Sequence, residues 1–228
     1  MTTKLTIRTV EQVTHDTQKI TFDKPEGFDF EPGQAAHIAL DRDGWRDTWK
    51  SFTMTSLPGK DGVEFVIKSY PEDAEGHDGV TARIADLKPG DTMIYKDVWG
   101  AIDDEGDGVF IAGGAGVTPF IAILRKKLEK TGTLDGNTLI FSNKSERDII
   151  LRDDFDKMPG LKTVYLVTDE PDSPLYRGQI DAALLKQHVS PDRDTCYVCG
   201  PSPMLDDISA DLKSFGVPED RIVTEQFD

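Results

Sequence analysis

Apolar and β-branched residues in the first hundred positions fall in short runs of period two: Leu5, Ile7 and Thr9; Ile20 and Phe22; Ala36, Ile38 and Leu40; Phe52 and Met54; Val63, Phe65 and Ile67; Met93 and Tyr95. Strict alternation places one side of an extended chain in a core and the other toward water, the mark of a half-buried strand. Turn chemistry separates the runs at Pro25-Glu26-Gly27, Glu31-Pro32-Gly33, Leu57 to Gly62 and Lys88-Pro89-Gly90-Asp91. Six strands at this spacing predict a small antiparallel β-barrel. The stretch from Gly79 to Leu87 breaks the alternation, with Val80, Ile84 and Leu87 at helical spacing.

After the acidic, glycine-bearing stretch from Asp103 to Gly108 the pattern changes. Val109 to Ala112, Leu139 to Phe141, Thr163 to Val167 and Cys196 to Val198 are continuous apolar runs suited to strands buried on both faces. Helical periodicity fits Thr118 to Lys130, Ile180 to His188 and Pro203 to Phe215 between and after them. Strand, turn and helix in repetition predict a parallel, doubly wound sheet. The expected architecture is therefore β followed by α/β, a barrel over residues 1–104 and an α/β domain over 105–228.

Composition narrows the class without naming a chemistry. The chain has 228 residues, 37% hydrophobic and 30% charged, enough apolar material for two cores. Its longest uncharged stretch, Gly108 to Leu124, contains Gly113, Gly114, Gly116 and Pro119 and is shorter than the roughly 20 residues a spanning helix needs. With no leader-like N-terminus, the expectation is a cytoplasmic protein with no membrane partner. The net charge of −16 is shared about equally between the two halves, which argues against a nucleic-acid partner. Cys196 and Cys199 fall short of the four thiolates of an iron–sulfur cluster, and His15, His37, His77 and His188 show no metal-site spacing, so no metal centre is expected.

Four stretches carry candidate chemistry. Val109 to Ala112 runs into Gly113-Gly114-Ala115-Gly116-Val117-Thr118-Pro119, an apolar strand entering a glycine-rich turn and a helix. Absent side chains at the glycines open backbone N–H groups to a phosphate, and Pro119 suits a first helical turn. Cys199-Gly200-Pro201-Ser202-Pro203-Met204 follows another α/β strand, whose carboxyl end faces the ligand crevice of a doubly wound sheet. Cys199 is there either a ligand neighbour or a small buried hydrophobe. Residues three apart on a strand are about 10 Å distant, too far for a Cys196–Cys199 disulfide. In Lys50-Ser51-Phe52-Thr53, alternation sets a cation and an aromatic ring on one face and the Thr53 hydroxyl on the other. Gly79-Val80-Thr81 opens the short helix and offers either a second phosphate site or an ordinary helix start.

In this order the four stretches resemble the ferredoxin–NADP reductase-like superfamily of flavoprotein reductases, over nearly the whole chain. The resemblance matches the family's Arg-x-Tyr-Ser/Thr flavin motif to Lys50, Phe52 and Thr53, and its flavin-phosphate helix to Thr81 and the Leu87-Lys88-Pro89-Gly90-Asp91 turn. Its nicotinamide-nucleotide turn falls on Gly114, Gly116 and Pro119, its Cys-Gly-Pro motif on Cys199, Gly200, Pro201 and Met204, and its closing Glu-x-aromatic on Glu225 and Phe227. Val66, Ile67 and Lys68 join the expected flavin site, and Val117, Thr118, Asn143 and Lys144 the nucleotide site.

The resemblance implies hydride transfer from NADH or NADPH to a bound flavin, FAD ahead of FMN, and then electron transfer to a separate acceptor. Thr53 would bond near the reacting flavin nitrogen, Cys199 would border the nicotinamide, and Glu225 would stand by as a charge or proton partner. Lys50 replaces an arginine and Phe52 a tyrosine, which removes a forked phosphate contact and a hydroxyl. The mixed charges of Lys144, Glu146, Arg147 and Asp148 leave NADH and NADPH both open. The acidic charge makes an acidic ferredoxin or flavodoxin a disfavoured acceptor. Alternative readings are a ferric-chelate or free-flavin reductase and a non-enzymatic flavoprotein subunit or sensor.

Overall fold

The computed structural model describes residues 2–74, 79–100 and 102–226. Six antiparallel strands form the first sheet: β1 (Thr3–Thr14), β2 (Thr17–Asp23), β3 (Ala35–Leu40), β4 (Lys50–Thr53), β5 (Gly62–Lys68) and β6 (Thr92–Trp99), in the order β4-β3-β6-β1-β2-β5. The sheet closes on itself where Met54 bridges Phe65 and the Thr55 N–H donates to the Glu64 carbonyl at 2.8 Å. β1 serves two neighbours, pairing with β6 over Thr3 to Thr6 and with β2 from Ile7 onward, with register shifts that bend it around the barrel. The predicted alternation fills the interior, where Leu5, Ile7, Ile20, Phe22, Ile38, Leu40, Met54, Phe65, Ile67 and Met93 make one buried cluster. A short helix, α1 (Val80–Ile84), adds Val80 and Ile84 to that cluster.

The second sheet is parallel throughout: β7 (Gly108–Gly113), β8 (Thr138–Asn143), β9 (Lys162–Val167), β10 (Tyr176–Arg177), β11 (Thr195–Gly200) and β12 (Ile222–Gln226), in the order β10-β9-β8-β7-β11-β12. The helices are α2 (Thr118–Thr131), α3 (Arg152–Asp156), α4 (Ala182–His188) and α5 (Ser202–Ser214). The central strands β7, β8 and β11 are buried on both faces. Phe110, Ala112, Leu139, Phe141 and Cys199 pack with Phe120, Ile123 and Leu124 of α2, whereas Val109, Ile111, Ile140, Cys196 and Val198 pack with α4 and α5. The strand order reverses between β7 and β11, which puts the ligand crevice of such a sheet at their carboxyl ends. Sequence periodicity missed β12, a polar edge strand around Thr224 and Glu225, and the two-residue β10, both too short or too polar for a buried-strand signature.

The outward face of β5 joins the halves residue by residue. The Glu64 carboxylate accepts from Arg125 of α2 at 2.7 Å, and the same Arg125 donates to the Thr55 carbonyl at 2.9 Å. Val66 enters the apolar cluster of the second sheet together with Ile102. The Lys68 ammonium lies 3.0 Å from Asp16 and 3.8 Å from Asp148, one carboxylate from each domain. The connecting segment is fastened as well: Lys127 binds Asp104 at 2.8 Å and Asp107 at 3.2 Å, while the Tyr197 hydroxyl accepts from the Glu105 N–H and donates to the Gly106 carbonyl. No described helix is long and apolar enough to cross a membrane.

Tyr197→Phe keeps the ring stacked on Phe110 at 4.4 Å but deletes both bonds to the connecting segment. The expected result is a loss of about 1–2 kcal/mol in urea unfolding, with proteolysis becoming faster at Asp103 to Asp107.

Candidate functional site

The barrel is open beside its closure. The β4–β5 pairing ends at Met54–Phe65, and beyond it Lys50 to Thr53 and Val66 to Lys68 form no ladder with each other. Two strand edges diverge there, presenting backbone donors and acceptors to whatever lies between them. Of the three β5 residues assigned to the flavin site, Ile67 turns its side chain into the barrel core, Val66 into the interdomain core, and Lys68 onto Asp16 and Asp148. Their backbone, rather than these side chains, is what they bring to that edge.

On β4, Lys50 and Phe52 lie in register with Ile38 and Ala36, and Ser51 and Thr53 with His37 and Ala35, so the alternation read from the sequence holds. Lys50, Ser51 and Phe52 are half-buried. Thr53 is 2% exposed and its hydroxyl has no hydrogen-bond partner, as is also true of the His37 Nδ1 on the same face. A buried hydroxyl without a partner carries a penalty of about 1–3 kcal/mol, which a ligand acceptor or donor would relieve.

Short contacts lead from Thr53 to the second sheet. The N–H of the next residue, Met54, donates to the Gln34 carbonyl at 3.0 Å, and neighbouring Gly33 lies so close to Ile102 that a Cβ on it would fall 2.1 Å from the Ile102 oxygen. The Ile102 N–H donates to the Glu225 carboxylate at 3.3 Å, and Glu225 on β12 is in register with Cys199 on β11. The barrel segment that follows Thr53 is thus tied through Ile102 to Glu225, the register partner of Cys199. Glu225 is 5% exposed and Cys199 fully buried. Burial pushes the Cys199 thiol well above its ordinary range, and the Glu225 carboxylate adds to the effect. Cys196, on the opposite face of β11, is pushed up to about 12, chiefly by burial. Both thiols are free, and neither is poised as a thiolate.

The glycine-rich turn differs in its reasons from the sequence expectation. Of its three glycines only Gly114, at φ 53°, faces open space. A Cβ on Gly116 would sit 2.2 Å from the Cys199 carbonyl oxygen, and one on Gly113 would sit 2.6 Å from the Met204 sulfur. Those two glycines let the turn press against β11 and α5, and Met204 occupies the notch between Gly113 and Gly200. Val117, Thr118 and Pro119 are buried, with the Thr118 hydroxyl donating to the Ala115 carbonyl at 3.0 Å. The starts of α2 and α5 thereby stand together at the β7–β11 reversal, where Pro201 precedes α5 without a side-chain cap. The positive dipole ends of two adjacent helix starts suit a pyrophosphate.

Asn143, at the carboxyl end of β8, is 6% exposed and neither atom of its amide has a partner. Lys144 beside it is exposed. α1 is only five residues long, Gly79 precedes it at φ 81°, and the Thr81 hydroxyl accepts from the Tyr70 N–H at 3.2 Å. The Glu72 side chain lies against Gly79 and is held by Arg83 at 2.7 Å. Phe227 lies outside the described residues. The sequence spacing missed a further grouping: His15, Asp16 and Asp148 bring three ligand-type atoms within 4.8 Å, because Asp148 arrives from the other domain. Lys68 is the cation those carboxylates hold here.

Residues 4–102 match the oxidoreductase FAD-binding domain family and residues 110–210 the oxidoreductase NAD-binding domain family. The chain is 28% identical over 90% of its length to NADH-cytochrome b5 reductase 2 of Mycosarcoma maydis, and spans 63% of that relative. It is also 28% identical over 90% of its length to the reductase component of the propane 2-monooxygenase of Mycolicibacterium goodii, of which it covers 61%. In fold it is similar to the FAD/NAD-binding domain of a nitric oxide dioxygenase from Vibrio cholerae O1 biovar El Tor, with a TM-score of 0.85, 19% identity and 98% of each chain covered. The unpartnered Thr53 hydroxyl, the open β4–β5 edges, the unpartnered Asn143 amide and the paired helix starts fit a flavin and a nicotinamide dinucleotide.

Thr53→Val removes a hydroxyl that nothing in the chain satisfies. Flavin-free protein carrying it is expected to be more stable by about 1 kcal/mol in urea unfolding, while flavin affinity falls in equilibrium titration. A loss of stability instead would show the hydroxyl to be structural.

Proposed function

Because the chain belongs to the ferredoxin–NADP reductase-like family of flavoprotein reductases, we propose that it is an NAD(P)H-dependent reductase that passes electrons through FAD to a separate acceptor. Its two domains are an oxidoreductase FAD-binding and an oxidoreductase NAD-binding domain. The observation that carries the reading is the buried, unpartnered Thr53 hydroxyl, on a barrel edge whose neighbouring segment is tied through Ile102 to Glu225. When bound, FAD accepts a hydride from the nicotinamide and releases its electrons to the acceptor.

The residues of the chain supply position and charge. Thr53 offers one hydrogen bond from a buried, water-excluding face. Glu225 lies in register with the neutral Cys199 thiol, which fills space where the nicotinamide ring would align. Asn143 and Lys144 take the adenosine side, and the starts of α2 and α5 take the pyrophosphate. Lys50 and Thr81 serve the flavin phosphates, with Glu72 close to Gly79 as an unfavourable neighbour.

The dinucleotide is NADH in preference to NADPH. The Glu146 N–H after β8 is taken by the Glu170 carboxylate at 2.6 Å, and the Glu146 carboxylate is held by Arg152 and Ser173. A 2′-phosphate arriving there would meet fixed carboxylates. An acidic ferredoxin or flavodoxin is a disfavoured acceptor, since a chain of net charge −16 repels one at long range.

Purified protein is expected to be yellow and to release FAD on denaturation. Chromatography finding FMN alone would refute the FAD assignment, and a colourless protein that FAD does not reconstitute would refute the whole reading. Glu170→Gln should improve kcat/KM for NADPH about tenfold relative to NADH, and an unchanged ratio would dissociate Glu170 from cofactor choice.

A further inference from the structure

On the outward face of β4, β3 and β6 the strand register lays two rows side by side: Thr53–Ala35–Trp99 and Ser51–His37–Lys96. Lys96 and Trp99, three apart, would point to opposite sides of a regular strand. They share this face because the ladder slips between Ala36 and His37, leaving Asp97 as an extra residue of β6 at φ 27°. That backbone region is rarely adopted outside glycine, so the bulge is held against strain, and its effect is to re-aim Trp99.

Trp99 is 38% exposed, one of two large apolar side chains so exposed among the described residues. Its ring stacks on His37 with centroids 5.6 Å apart and planes 28° apart, while the Lys96 ammonium lies 4.4 Å from the Trp49 ring centroid. Two strand spacings put the Trp99 backbone about 10 Å from that of Thr53. No ladder residue on this face is a carboxylate, and the one acid in the stretch is Asp97 of the bulge. In a chain of net charge −16, such a face has unusual chemistry: a flat indole fixed from beneath, and one ammonium close by.

We propose that this face is the acceptor site and that its occupant is a quinone. The proposal rests on the reductase reading above and names the acceptor class for it. A quinone is planar and conjugated and stacks on an indole without needing charge complementarity. Its carbonyl oxygens gain negative charge as electrons arrive, which the Lys96 ammonium stabilises in place. The reaction balances as NAD(P)H plus one proton plus quinone giving NAD(P)+ plus hydroquinone. The hydride carries both electrons and one proton, and the second proton comes from solvent. A protein acceptor fits less well, because an acidic one is repelled by the chain and a basic one finds only the bulge residue Asp97 as a carboxylate in these three strands.

The test uses FAD-loaded protein and menadione in two measurements. In the first, menadione quenches tryptophan fluorescence saturably in the wild type, and Trp99→Ala abolishes the saturable part with no NAD(P)H present. In the second, the steady-state KM for menadione rises about tenfold in Trp99→Ala, is restored to within threefold in Trp99→Phe, and rises in Lys96→Met, while flavin reduction by NAD(P)H without acceptor keeps its rate. Quenching and KM unchanged in Trp99→Ala would overturn the proposal, as would a protein acceptor covering this face, which would leave menadione turnover indifferent to Trp99. Flavin that NAD(P)H does not reduce in the wild type would refute the reductase reading instead, and the quenching experiment would still decide the site.

Discussion

The burial of the outward face of β5 against the second domain is the constraint on which the rest depends. A barrel strand ordinarily shows one face to its core and the other to water, yet here Glu64, Val66 and Lys68 all meet the second domain or an ion pair that spans to it. The central residue supplies apolar burial, and the flanking charges fix direction and register. Ion pairs that are partly buried are sensitive to geometry, so Arg125 with Glu64 and Lys68 with Asp148 discriminate one docking of the domains from its neighbours more than they add net stability. Docking in that way brings the divergent β4–β5 edge to the carboxyl ends of the parallel strands.

Close backbone approach is the second constraint, and glycine serves it. Gly33 against Ile102, Gly116 against the Cys199 carbonyl and Gly113 against Met204 each stand where any side chain would overlap a neighbour. The first draws the barrel to the connecting segment, and the other two press the first turn of the α2 region against β11 and α5. These contacts join barrel, linker and sheet into one interface. The polar atoms left without partners in that region, on Thr53 and Asn143, are those a folded chain would have removed or paired had they served stability alone.

Charge is arranged locally against a strongly acidic total. Most described cations are engaged by carboxylates, as Lys4 and Arg46 are by Asp41, Arg83 by Glu72 and Lys127 by Asp104 and Asp107. The Asp41 carboxyl is accordingly held well below the usual range by Lys4 and Arg46. Against this background the carboxylate-free ladder of β4, β3 and β6 and the carboxylates fixed near Glu146 are opposite local departures.

The sequence by itself determined the two domains, their order and most of their elements, because period-two and continuous apolar runs record which residues must leave water irrespective of the contacts they later make. It also determined the candidate Lys50 to Thr53, Cys199 and Asn143 positions, since strand parity and strand ends follow from local spacing. It did not determine β12, whose polar residues carry no burial signature, nor the reasons for Gly113 and Gly116, which depend on residues more than eighty positions away. Only the tertiary structure decided that Lys68 bridges the domains, that His15 meets Asp148, and that a single inserted residue at Asp97 turns Trp99 onto the face of Thr53. Those outcomes rest on register and on contacts between distant segments, and a local pattern of hydrophobicity contains neither.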